Sequence, residues 1–156
     1  MVAMLQSMTP DEMDAFLNSV AYGSTTDNNV QVSGYYDNNM AQEVFNLTNQ
    51  ERANNGLPAY SWDSNMASYS DRRAKEIVTD YSHNSAGGNW SVGENIAEGE
   101  TSASEVVNDW MNSAGHKANI LSDVSTKTSV SCYVEKFTYA DGSTQYLYHW
   151  VQNFTH

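Results

Sequence analysis

The sequence predicts an α+β fold, a three-layer α-β-α sandwich whose central, mainly antiparallel sheet is covered by helices on both faces. Three observations lead there. Residues 40–121 hold apolar positions at helical spacing in successive segments. After Lys127 the period changes to two, and those period-two segments are apolar on both of their faces. A sheet with one face in water would alternate with polar residues, so both faces call for a cover.

The elements follow in order. Thr9-Pro10, with Asp11 and Glu12 behind it, is a helix start, and Met13, Phe16, Leu17 and Val20 then share a face. Residues 22–38, YGSTTDNNVQVSGYYDN, are polar and rich in turn formers and read as a connection. Residues 1–39 are thus an accessory helical segment and linker, and 40–156 form the main domain. Met40, Ala41, Val44, Phe45 and Thr48 make a helical stripe that Gly56 and Pro58 close. A second helix opens near Asp63 or Ser64 and runs to about Tyr81, with Ala74, Ile77, Val78 and Tyr81 buried. Asp71–Lys75 and Arg72–Glu76 form i,i+4 ion pairs on its wet side. The third helix opens on a capping box, Ser102 with Glu105, buries Val106, Val107, Trp110 and Met111, and stops at Gly115. Ile120 and Leu121 close one further turn. Asp141-Gly142 is a two-residue hairpin signal, and it sets Val134 opposite His149 and Cys132 opposite Val151. Cys132, Val134, Leu147, His149 and Val151 then share one face.

The chain has 156 residues, enough for one core without covalent staples, and a formal charge of −12 with no Lys or Arg before Arg52. Phosphate backbones need clustered basic residues, so nucleic acid is not an expected partner, and an anionic membrane is disfavoured for the same reason. A cation is favoured near any cleft. Cys132 is the only cysteine, which excludes an internal disulfide and a cysteine-based zinc cage; inside an apolar strand it reads as a small buried hydrophobe. No apolar run is long enough to span a membrane, and the opening MVAMLQSM lacks the basic start and apolar length of a signal peptide.

Residues 82–95, SHNSAGGNWSVGEN, hold His83 and Glu94 eleven positions apart in a stretch too polar to form core. On the residues alone, two readings stand: a hydrogen-bonded pair that pins a loop, or the rim of a cleft. His149, between Leu147 and Val151, reads as a satisfied core histidine or as a ligand. Asn119 reads as structural, bonded to backbone. No Ser lies in a strand–Gly-x-Ser-x-Gly–helix setting that would make it a nucleophile.

The segments FNLTNQERANNGLPAYSWD (45–63), YSH (81–83), GENIAEG (93–99), WMNSAGHKANIL (110–121) and YHWVQNF (148–154) resemble, in unbroken order, the CAP superfamily of cysteine-rich secretory, antigen 5 and pathogenesis-related proteins. GHKANIL and the missing disulfides are similar to its bacterial, SCP-like branch. The resemblance implies the same α-β-α sandwich, an extracellular or cell-surface location, and a cleft lined by two His and two Glu. By position His83 matches the first histidine, Glu94 the first glutamate, and His149, three residues before Gln152, the second histidine. The second glutamate falls on Ser113, and His116 is the nearest replacement.

The cleft set implied by the resemblance is therefore His83, Glu94, His116, His149 and Ser113. Its metal reading places a divalent cation, zinc foremost, on His83 and His149, with Glu94 and His116 as further ligands. Three functions follow. The first is a monomeric, secreted or surface domain whose cleft binds a ligand or cation without turnover. The second is a metal-dependent hydrolase with Glu94 as general base. The third is an interaction domain of a larger cell-surface protein.

Overall fold

The computed structural model describes residues 30–156; the helix expected over residues 10–20 lies outside them. Strand β1 (Gln31–Tyr36) leads into helix α1 (Asn38–Asn54), capped by the Asp37 side chain, which accepts from the Met40 amide at 3.0 Å. A short β2 (Ser61–Trp62) precedes α2 (Ala67–Thr79), whose entry is fixed by Asp63 accepting from the amides of Asn65 and Met66. Strand β3 (Gly93–Glu98) is followed by α3 (Ala103–Met111) and α4 (Ala114–Ile120). The long hairpin β4 (Lys127–Thr138) and β5 (Thr144–Thr155) completes the described chain.

The sheet runs β1-β4-β5-β3, all antiparallel, with β2 parallel to the start of β4. Helices α1, α3 and α4 pack on one face, where Val44, Val106, Trp110 and Ile120 meet Val130, Cys132, Val134, Trp150 and Phe154. Helix α2 covers the other, with Ala74 and Ile77 against Ile96 and Val151. The expected three-layer α-β-α sandwich is what forms.

Several expectations are corrected. Residues 31–36, read as part of a connection, form the edge strand β1. Gly115 does not stop a helix: α3 ends at Met111 and Gly115 lies inside α4. Asp71 accepts from Ser131 at 2.7 Å instead of pairing with Lys75, which lies over the Tyr133 ring; Arg72–Glu76 does pair, at 3.6 Å. The hairpin loop is also one residue longer than a two-residue turn. The Gly142 amide donates to the Tyr139 carbonyl and Gly142 takes φ +83°, the left-handed residue of a three-residue loop. Tyr133 therefore faces His149, and Cys132 faces Trp150. One residue of slip moves every side chain of a strand to the other face, so His149 leaves the Cys132 face and joins Tyr133 and Val151 on the α2 side.

Candidate functional site

Strand β3 begins at the mouth of the sandwich, and Glu94 is its second residue, turned toward α2. The side chain of Arg73, fully buried on α2, meets it with two parallel bonds: Nε to Oε2 at 2.9 Å and Nη2 to Oε1 at 2.8 Å. Asn153 of β5 adds Nδ2 to Oε2 at 2.9 Å, and His83 adds Nδ1 to Oε1 at 3.0 Å. An ionised carboxylate offers about four acceptor sites, and these four donors fill them. Because Glu94 only accepts, His83 carries its hydrogen on Nδ1 and, when neutral, keeps an acceptor lone pair on Nε2. Among the described residues that nitrogen has no partner, and the His83 side chain is 61% exposed.

Arg73 is held in turn by Glu76 at 2.7 Å and by the carbonyls of Asn84 and Ser82 at 2.7 and 2.6 Å. One guanidinium thus ties α2, the 82–92 loop and β3 together. Burial would raise the Glu94 carboxyl, but hydrogen bonds from Arg73, Asn153 and His83 outweigh it and hold its pKa below the usual carboxylate range. Such a group stays ionised and is a poor proton acceptor.

A cavity of about 300 Å³ opens here, lined by Tyr69, His83, Asn89, Ser91, Val92, Gly93 and Glu94. On the opposite layer, Gly93 leaves room for α4: a Cβ there would lie 3.1 Å from Asn119 Oδ1. Asn119 donates to Asn95 at 2.9 Å and to the Glu94 carbonyl at 3.4 Å, the structural role expected of it. His116 lies on α4 with Nδ1 3.0 Å from Oγ of Ser113, the N-cap residue of that helix. Burial, and secondarily the charge of His83, lower the His116 pKa.

His149 is elsewhere. It is completely buried, with Nδ1 2.9 Å from Glu98 and Nε2 2.7 Å from Glu135. Both ring nitrogens face carboxylate oxygens, which favours an imidazolium; burial opposes the charge, but the bonds to Glu135 and Glu98 prevail and the pKa is raised. Along β5 it is four residues from Asn153, on the order of 13 Å. The structure thus joins His83 to Glu94, ties Ser113 to His116, and keeps His149 apart. The expectation that His149 lines one hollow with His83 is corrected: the register shift puts His149 on the α2 side with Glu94, but its place further along β5 and its burial between Glu98 and Glu135 keep it out of the cleft.

The donor set does not fit the expected zinc centre. Glu94 has no acceptor site left, both nitrogens of His149 are engaged, and no three His, Cys, Asp or Glu side chains among the described residues are grouped to hold a metal. Arg73 and Asn153 were missed as site residues. The available signal for Arg73 was its place on the stripe Tyr69–Arg73–Ile77, where a charge must have a partner.

The family model for CAP, the cysteine-rich secretory protein family, matches residues 45–154. The secreted protein RBT4 of Candida albicans is 29% identical over 97 residues, 62% of this chain and 26% of its own. The protein YkwD of Bacillus subtilis is 31% identical over 109 residues, 60% of this chain and 42% of its own. The chain therefore spans between a quarter and a little over two fifths of these relatives. Among solved structures, an extracellular SCP-domain protein from Bacillus anthracis is 27% identical with a TM-score of 0.59, covering 76% of this chain and 41% of that one. An outer surface protein of Borrelia burgdorferi has the same TM-score at 16% identity, covering 79% and 98%; at that identity it shows the fold. No helix among the described residues is long and apolar enough to cross a membrane.

Proposed function

The chain belongs to the CAP family of cysteine-rich secretory proteins, and from that premise we propose that it is an extracellular or surface-exposed binding domain of bacterial SCP type. Its cleft at His83 and Glu94 takes up a ligand without turning it over. The extracellular setting is supported by the secreted, extracellular and outer-surface proteins it resembles.

The observation that carries the reading is the saturation of Glu94. A general base needs a lone pair within reach of the proton it removes and a pKa near the working pH. Glu94 has neither: Arg73, Asn153 and His83 occupy its oxygens and depress its pKa. It acts as an anchor that orients His83 and fixes the cleft wall. What the cleft presents to a ligand is the outward imidazole edge of His83, the Asn89 amide and the Ser91 hydroxyl. These groups recognise; none is an activated nucleophile.

The test is an assay of the purified protein against ester, peptide and glycan substrates, alongside Glu94→Gln. No turnover above background is expected from either. Hydrolysis by the natural sequence that Glu94→Gln abolishes, with the variant's fold intact by circular dichroism, contradicts the reading.

A further inference from the structure

Trp90 is more exposed than the other large rings left at the surface, 59% against 44% for Tyr35 and 42% for Tyr146, yet it is not loose. Its indole lies parallel to the buried ring of Tyr69, centroids 5.7 Å apart and planes 8° apart, and its Nε1 donates to the Gly87 carbonyl at 3.1 Å. The Arg72 guanidinium sits 5.1 and 5.2 Å from the Tyr69 and Trp90 ring centroids. It fits there because Gly87 has no side chain; a Cβ would come within 2.6 Å of Arg72. The loop therefore holds a flat aromatic face outward in one orientation, with its inner face on Tyr69. An exposed ring ordered in advance loses little freedom on binding.

The platform adjoins the cleft. Tyr69 lines the cavity, and so do Asn89 and Ser91, the residues on either side of Trp90. Ser91 Oγ accepts from Asn153 at 3.1 Å, which leaves its O–H to donate outward. Asn89 supplies both donors and an acceptor, and His83 Nε2 supplies an acceptor.

Charge narrows the occupant. The net charge of −12 repels anionic ligands. A cationic ligand would face the Arg72 guanidinium already beside both rings, and the Glu94 charge that would draw it is compensated by Arg73. A lipid tail finds a rim of amide, hydroxyl and imidazole groups. A neutral ring with C–H bonds on one face and hydroxyls at its edge meets every feature.

We propose that Trp90 is the stacking platform of a neutral-glycan subsite: a pyranose ring lies on the outer indole face while its hydroxyls bond to Asn89 and Ser91. This rests on the cleft-binding reading above and names its ligand class.

The test titrates isotope-labelled protein with tetrasaccharides of N-acetylglucosamine, glucose and mannose, following amide resonances and tryptophan fluorescence. At least one is expected to shift Asn89, Trp90 and Ser91. Trp90→Ala should weaken that binding by about tenfold or more, whereas Trp90→Phe, which keeps a flat ring, should stay within about threefold. Both variants should stay folded by circular dichroism, Trp90→Ala losing only the stacking of that loop on Tyr69. Failure of all three sugars at millimolar concentration, or equal binding by Trp90→Ala, overturns the proposal. If the sugars fail but choline or phosphate shifts the His83 ring, the glycan subsite is wrong and the cleft reading stands. Trp90-dependent sugar binding that His83→Gln leaves untouched supports the platform and counts against the His83 cleft.

Discussion

Arg73 occupies a position on α2 where the neighbours one turn away, Tyr69 and Ile77, are buried. A guanidinium there is tolerable only because two carboxylates and two carbonyls meet it. Truncation would leave Glu94 and Glu76 without that cation. Arg73→Ala is expected to destabilise the domain by about 3–5 kcal/mol, read from urea unfolding, and to loosen His83 as well. A loss below about 1 kcal/mol would mean that the pair is not structural. The His83–Glu94 pairing was one of the two readings the residues left open, since a polar loop needs internal partners. Arg73 was not legible, because local i,i+4 counting assigned its neighbours Asp71 and Arg72 to partners and gave Arg73 none. Of its two carboxylate partners, Glu76 lies three residues on, a spacing that counting skipped, and Glu94 lies twenty-one residues on.

At the scale of elements, helices announced themselves and edge strands did not. The stripes of α1, α2 and α3 bury one side, so their period is visible. Strand β1 is exposed along most of its length, and an edge strand with wet side chains leaves no alternation to read. The hairpin was recognised, but its register hung on whether Asp141-Gly142 closes a two- or three-residue loop. Both use Gly in the left-handed region, and the sequence does not separate them. That single residue decided which face His149 occupies. Gly142→Val, placing a β-branched residue at φ +83°, should cost about 1–2 kcal/mol in thermal unfolding without moving the His83 resonances. No measurable cost would indicate a different loop.

Across the whole molecule, two ion networks on the α2 face set opposite pH limits. Glu94 is depressed below its ordinary value of 4.5, so its contribution is full above that pH and is lost as pH falls through the folded value. His149 is raised above its ordinary value of 6.5, so its contribution is full below that pH and disappears as pH climbs through the folded value. The melting temperature should therefore fall toward acid and also above neutrality. His149→Gln should lower the curve most at and below neutrality and remove the alkaline slope, whereas an alkaline slope unchanged in that variant would assign it to another group.

The domain holds two separate histidine sites: His83 at an open cleft with Glu94 and Arg73, and His149 sealed between Glu98 and Glu135. Imidazole nitrogen NMR during zinc titration separates this from a shared centre. We expect the His149 nitrogens to keep the signature of a buried imidazolium, unmoved by zinc, whatever His83 does at its exposed edge. Joint displacement of the His83 and His149 resonances, complete at one equivalent of metal, would contradict it.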